Sequence, residues 1–511
     1  MKATETIHVG AEKQLFLDDR WFSSQHGMTL TVNPPAKCEQ VLLPDTPWES
    51  FGIHGYNSVI DYDGKYHLFY DAIAINTPDG QPDRSICYAA STDGIHWEKP
   101  NVGPYVWNGI KENNIVLPGC NGGVILDLHG PAEHRFKALC IVEENAVWPE
   151  SKGAILGKYG EHHFMELYLC TSPDGIHWKR HTPCALPFFH DSQNVMLYDP
   201  RLQKYVAFIR WSIAMQGRSV ARVEFDDPME LPWPFKDRPE VQHGPCLSRH
   251  RVAEELPEVI KCDKIDPPAT DLYTPSVTLY PWAQDAYLSF TTPYRHYPVG
   301  DTSDTTLHGK DERGRHQNDG PVEIQLAVSR DGNHWTRPDR KPYVSLGLAG
   351  SWDGGQVYMA LGMIRSGDEI WQYYAGTTYT HGAYDMKNVE RTSGGLCRLV
   401  QRLDGFISAD AEYTGAEFTT PVLTFSGAHL KLNADCSALG EIWVEIRDEQ
   451  GRPIPGYTLE ESISVDRNHI AAPVFWKERD SVGELAGRPV RLHFKLRACK
   501  LYAFQFENEA S

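Results

Sequence analysis

A seven-residue segment, S-x-D-G-x-H-W, occurs three times in this chain: Ser91 to Trp97, Ser172 to Trp178 and Ser329 to Trp335. Each copy follows an apolar run of strand character, ICYAA, MELYLCT or VEIQLAV. Asp-Gly is a turn dipeptide, because glycine accepts positive φ and aspartate bonds its own backbone. The tryptophan that follows can fold back and cover the hairpin. The segment therefore reads as the tight turn joining the last two strands of a repeated four-stranded sheet.

Five units share this grammar. The first is YNSVIDYDGKYHLFYDA with ICYAASTDGIHW, and the second runs from GGVILDLHG through FKALCIV and MELYLCT. The third is NVMLYDPRLQKYVAFIRW with SVARVEFDDPMELPW, where Asp226-Asp227 and Trp233 stand in for the motif. The fourth is YTPSVTLYPWAQDAYLSFTT with IQLAVSRDGNHW, and the fifth GGQVYMALGMIRSGDEIWQYYAG with GLCRLVQRLDGFIS. Repeats of strands imply radial or stacked architectures, and this set predicts an all-β, five-bladed β-propeller. Blades are expected over 46–410, after an N-terminal arm over 1–45 in which QLFLDDRWF is the segment expected to close the ring. From 411 to 511 the runs HLKLNAD, GEIWVEIRD, PVRLHFKLR and KLYAFQFE alternate as short strands and predict a C-terminal β-sandwich with a packing role. RVAEELPEVIKC (251–262) is the one helical candidate.

A chain of 511 residues exceeds one compact core, in keeping with two domains. Lys and Arg number 49 against 68 Asp and Glu, a net charge of −19, which argues against nucleic acid and anionic membranes as partners. No apolar run approaches the roughly 20 residues of a membrane span. The N-terminus lacks a signal-peptide core, so a cytoplasmic location is expected. The 11 cysteines have no zinc spacing and fall largely within strand runs, as buried free thiols would. No metal or other cofactor is expected, although an axial calcium ion is left open. The oligomeric state is open too, a homo-oligomer included.

Blade topology decides where a site can lie. Loops entering first strands share one face with loops between second and third strands, and the S-x-D-G-x-H-W turns lie on the other. The repeated His, Asp and Trp are therefore structural. The functional face collects His54, Tyr56, Asp191, Asn194, Asp271, Tyr273, Trp352 and Asp353 from the first kind of loop. From the second kind come Arg84, Arg210, His296, Asp319, Glu323 and His381. Asp191, Asp271 and Asp353 enter three successive blades near the axis and are the catalytic candidates, with Asp319, Glu323 and Glu144 in reserve. Carboxylates converging on one cavity push their pKa values apart, so that one acts as an acid while another stays ionised. The other residues are candidates for substrate binding, with aromatic rings for sugar faces and arginines for a carboxylate or phosphate.

LFLDDRWF, DGIHWEKP, HDSQNV, TDLYTPSV, GSWDGGQVYM and the tail G-x-I-W-V-E-I-R-D-x-x-G-x-P-I-P-G resemble a family 32-like bacterial branch of the five-bladed propeller glycoside hydrolases, the superfamily of families 32, 43, 68 and 130. The resemblance covers nearly the whole chain. It implies a carbohydrate substrate and hydrolysis of a glycosidic bond by a pair of axial carboxylates. A phosphate-dependent phosphorylase and a non-catalytic sugar-binding propeller are the alternatives. The family places its nucleophile in W-x-N-D-P-N-G at the start of blade one. Here that place reads F-G-I-H-G-Y-N, with His54 and no carboxylate. R-D-P and E-C are also missing from their places, so the family's triad does not carry over.

Overall fold

The computed structural model describes residues 6–75, 77, 81–142, 167–186, 190, 192–211, 217–234, 256–297, 319–382 and 394–508. Among them the regular structure is strand and short 3-10 turn, with no α-helix, so the chain is all-β. The helical candidate falls partly outside this set; inside it, Glu258–Ile260 is a strand.

Five largely antiparallel sheets succeed one another. The first holds Ser58–Tyr62, Lys65–Ile73, Arg84–Ser91 and Ile115–Pro118. The second holds Cys120–Leu126, Phe136–Val142, Leu167–Ser172 and Lys179–Arg180. The third runs Val195–Asp199, Lys204–Trp211, Ser219–Phe225 and Glu258–Ile260. The fourth runs Val277–Leu279, Tyr287–Thr291, Gln325–Ser329 and Trp335–Thr336. The fifth takes Gln356–Met359, Glu369–Thr377 and Gly394–Arg402 from the last unit, and its outer strand, Ala36–Leu42, from the N-terminus.

The three S-x-D-G-x-H-W turns are built alike. In the first, the amides of Ile95 and His96 donate to Asp93 Oδ1 at 2.9 and 2.8 Å, and the Gly94 amide donates to Ser91 Oγ at 2.9 Å. Gly94, Gly175 and Gly332 have φ of 73°, 78° and 73°, which only glycine adopts without strain. Each turn also packs on a neighbouring sheet. A Cβ on Gly175 would sit 2.8 Å from Phe69 of the first sheet, and one on Gly332 would sit 3.3 Å from Phe208 of the third. The turn of the first sheet meets the fifth, where the Tyr373 hydroxyl donates to the Gly94 carbonyl at 2.7 Å. Ser58 and Leu361 form a second link between first and fifth sheets, a parallel bridge. Val59, Val124, Val195 and Val277, one from each of the first four sheets, and Leu361, just after the first strand of the fifth, line a common cavity of about 780 Å³.

Two further sheets flank one core. Asn468–Pro473, His429–Asp435, Cys499–Glu507, Ile407–Ala411 and Met28–Val32 form one, and Glu441–Asp448, Val490–Arg497, Ala416–Thr419 and Ser24–His26 belong to the other. The segment QLFLDDRWF, expected to add a strand to the last unit, does not join the fifth sheet. Gln14–Leu15 pairs with the strand Cys499–Glu507, and the last unit's expected fourth strand, Ile407–Ala411, joins the same sheet. The reason is amphipathic on both sides. Leu15 and Leu17 enter the core under the fourth and fifth sheets, while Phe16 and Trp21 enter the core between the two last sheets. All four are buried, each contributing about 1.5–3 kcal/mol by leaving water. Asp404 of the fifth, degenerate turn lies at this junction and accepts from Lys13 at 2.7 Å, Tyr280 at 2.8 Å and Asn433 at 3.0 Å.

Candidate functional site

Strand register fixes the end at which a site can form. In the first sheet Ile73 faces Arg84 at one end and Tyr66 faces Ser91, beside the Asp-Gly turn, at the other. The loop carrying His54 and Tyr56 belongs to the Arg84 end, because Ile53 pairs with Ala72. Asn57 pins that loop: its amide donates to the His54 carbonyl at 2.7 Å, and its oxygen accepts from the Asp71 amide at 3.0 Å. Asn194 does the same in the third sheet, donating to the Ser192 carbonyl at 2.8 Å and accepting from the Arg210 amide at 2.9 Å. Asn194 was expected to bind substrate, but its amide is committed to the backbone. Gly55 lets the loop reach the fifth sheet, since a Cβ there would lie 2.6 Å from the Tyr358 ring.

Two buried carboxylates are tied to arginines. Asp71 accepts from Arg84 Nε at 2.8 Å, and the same guanidinium donates to Asn121 at 2.8 Å through Nη1. Asp271 accepts from Arg218 Nη1, from the Arg218 amide at 3.1 Å, from the Gly217 amide and from His296 Nε2 at 2.8 Å. Burial pushes the Asp271 carboxyl up, but the His296 hydrogen bond and the Arg218 charge outweigh it and hold it below the usual range. It is thus an ionised anchor for a guanidinium and an imidazole.

Between these pairs lie phenols and imidazoles. The hydroxyls of Tyr56 and Tyr273 bond at 2.9 Å. The Arg84 guanidinium lies 5.0 Å from the Tyr56 ring centre, and Arg210 and Arg218 lie 5.7 and 5.0 Å from that of Tyr273. His381 packs against Tyr273, Tyr294 and Tyr358, with ring centres 4.9, 4.7 and 6.5 Å away. Burial, followed by the charge of Arg84, pushes the His54 imidazole down to about 4. Burial, with Arg218, His54, His296 and Arg210 nearby, holds His381 well below the ordinary histidine value. Both rings are therefore neutral near pH 7, each with one nitrogen that donates a hydrogen bond and one that accepts.

Of the three catalytic candidates, Asp271 and Asp353 lie among the described residues, and each has its own set of partners. Asp353 accepts from Lys37 at 2.7 Å, Tyr374 at 2.8 Å and Ser351 at 3.0 Å, and shares none of these partners with Asp271. Burial pushes its carboxyl up, yet the Lys37 and Tyr374 hydrogen bonds hold it low. The lysine comes from Ala36–Leu42, so Asp353 fastens the N-terminal strand to the fifth sheet. Trp352 packs on Tyr374, 5.6 Å between ring centres, as part of the same structure. Asp191 and Glu144 lie outside the described residues. Asp319 accepts from the amides of Gly320 and Gly382 at 2.7 and 3.1 Å, which anchors the turn bearing His381. Glu323 pairs with Arg295 at 3.2 Å.

Sequence reasoning passed over Asp71 and Tyr358. Asp71 stands in KYHLFYDAI, and a lone carboxylate in so apolar a strand was its signal. Tyr358 in QVYM reads as an ordinary core position. Among the described residues no group of His, Cys, Asp and Glu could hold a metal ion, and no helix is long and apolar enough to cross a membrane.

No protein-family model matches the sequence, and no curated protein matches it. Solved structures match over most of their length at low similarity. One described as a glycoside hydrolase shares 11% identity and a TM-score of 0.42, over 72% of this chain and 92% of its own. An N-acetylgalactosamine deacetylase from F. plautii, in complex with blood group B trisaccharide, shares 14% and 0.43, over 74% and 96%. A thermostable family-43 glycoside hydrolase shares 14% and 0.39, over 70% and 89%. At this distance they assign neither a fold nor an activity.

Proposed function

We propose that the five sheets are the blades of a β-propeller closed by Ala36–Leu42, that the two last sheets form a β-sandwich, and that the chain is a glycoside hydrolase. Blades are read over 46–410 and the sandwich over 411–511, behind an N-terminal arm. One observation carries the functional reading. His54, Tyr56, Arg84, Arg210, Arg218, Asp271, Tyr273, His296 and His381 come from strand ends and loops at or beside the first, third, fourth and fifth sheets and meet in one largely buried cluster. Convergence of polar and aromatic groups from separate elements on a rigid scaffold is the form of a small-molecule site. Phenol rings edged by guanidiniums and neutral imidazoles offer an apolar face and many hydrogen-bond partners, which suits a sugar ring. Asp271 has the role of holding Arg218 and His296, and Asp71 of holding Arg84.

The test is a panel of aryl glycosides and oligosaccharides, assayed with and without inorganic phosphate. Phosphate-independent release of reducing sugar is expected. Turnover only with phosphate would make the enzyme a phosphorylase. Sugar binding without turnover by either route would make it a binding protein and refute the enzymatic reading.

A further inference from the structure

A directed chain of hydrogen bonds ends on His381, and its direction follows from the far end. The Thr377 hydroxyl lies 2.8 Å from the Tyr379 carbonyl, which can only accept, so the threonine proton is spent there. The Thr377 oxygen is then an acceptor, and Gln356 Nε2 donates to it at 3.0 Å. That fixes the amide, which is otherwise free to be placed either way round. Gln356 Oε1 consequently faces the Tyr358 hydroxyl at 2.8 Å and takes its proton. The Tyr358 oxygen, its proton spent, can only accept from His381 Nδ1, 2.8 Å away. His381 therefore carries its proton on Nδ1. Among the described residues no group bonds Nε2.

Four further contacts hold the residue and its turn. The His381 amide donates to the Gly320 carbonyl at 3.1 Å, Asp319 accepts from the next amide, and Tyr273 and Tyr294 pack edge-on against the imidazole. The charged and titratable groups around it are Arg218, His54, His296 and Arg210, the phenols of Tyr273, Tyr294 and Tyr358, and Asp319 on the adjoining turn. Burial first, and the Arg218 and Arg210 charges after it, keep the ring neutral.

We propose that His381 Nε2 is the general base of the site, and that Tyr358, Gln356 and Thr377 are positioning residues that fix its tautomer. The assignment rests on the glycosidase reading for its reaction. Water gives a proton to Nε2 as its oxygen bonds the anomeric carbon. The bond from that carbon to the departing oxygen breaks, and the electron pair leaves with this oxygen, which takes a proton from solvent. The imidazolium then returns its proton to water.

The first experiment needs no substrate. In the full chain labelled with 15N-histidine, His381 signals are identified by their loss in His381→Gln. A proton on Nδ1 and a bare Nε2 at pH 7 are expected. A proton on Nε2, or on both nitrogens, overturns the assignment. Tyr358→Phe and Thr377→Val should both shift His381 toward the Nε2–H tautomer while the fold, read by melting, is kept. An unchanged tautomer in both removes the positioning role. On any glycoside the wild type cleaves, His381→Gln should lose about 10²–10⁴ in kcat, and the wild-type acid limb should lie well below pH 6.5, the ordinary histidine value. Undiminished turnover in His381→Gln refutes the base even where the glycosidase reading stands. If the wild type cleaves no glycoside, the base falls with that reading, while the spectrum still reports the tautomer.

Discussion

Asp271→Asn separates an anchoring carboxylate from a catalytic one. Asn keeps the shape and can still accept from the amides of Gly217 and Arg218. What it removes is the charge facing a guanidinium that is 2% exposed and an imidazole that is fully buried at its side chain. Breaking a buried ion pair by removing one partner costs about 3–5 kcal/mol, because the other charge is left uncompensated. The lost His296 bond lies within that figure and is not added to it. The assay is urea unfolding followed by tryptophan fluorescence, with any separate transition of the last two sheets fitted apart. The expected result is a loss of about 3–5 kcal/mol in the transition of the five sheets, partly recovered in Asp271→Asn/Arg218→Met, since the second change removes the buried charge that the first leaves uncompensated. Acid supplies a second reading. The folded carboxyl lies below its unfolded value of about 3.9. Its contribution is therefore present above that pH and is lost as pH falls through the folded value. Wild type and variant should converge in stability below about pH 4. Wild-type stability in Asp271→Asn, with turnover down about 10²–10⁴, would refute the anchoring role and return Asp271 to the chemistry.

Trp178→Ala tests the structural reading of the repeated turns. Trp178 is 8% exposed and meets Phe69 edge-on at 6.0 Å, so thermal unfolding should show a loss of about 3–5 kcal/mol with turnover per folded molecule unchanged. Gly55→Ala places a methyl 2.6 Å from the Tyr358 ring carbon and should cost about 1–3 kcal/mol while displacing His54 and Tyr56. Wild-type melting and turnover in that variant would show that the close approach is not needed.

The repeat was legible because its turn is a local device. Ser, Asp, Gly and Trp satisfy one another within seven residues, so the motif needs no partner to be read: Trp97, Trp178 and Trp335 each donate to the carbonyl of their own turn glycine. Pairings across the chain left no such mark. Ala36–Leu42 has five exposed residues in seven and reads as loop, yet it completes the fifth sheet because Lys37 reaches Asp353 and Leu42 enters the core beside Ile53. QLFLDDRWF, expected as a closing strand, instead sends Leu15 and Leu17 into one core and Phe16 and Trp21 into another.

The site divides along the same line. Loop position alone brought out His54, Tyr56, Arg84, Asp271, Tyr273, His296 and His381, all of which meet in one cluster. Roles could not follow from position, because an aspartate that holds an arginine and one that attacks a substrate look identical in a sequence. Asp353 shows this most clearly: its partner Lys37 stands 316 residues away in the sequence and makes this acid a fastener. The tautomer of His381 lies further still from sequence. It depends on Thr377, Gln356 and Tyr358 each pointing its proton the same way, and the direction is set by one backbone carbonyl, that of Tyr379. A glutamine flipped at position 356 would reverse the chain and place the proton on Nε2, turning a base into a donor without moving a heavy-atom position. The chemistry of the cluster is thus decided by the weakest-looking members of its surroundings, a strand glutamine and a strand threonine that no motif distinguishes.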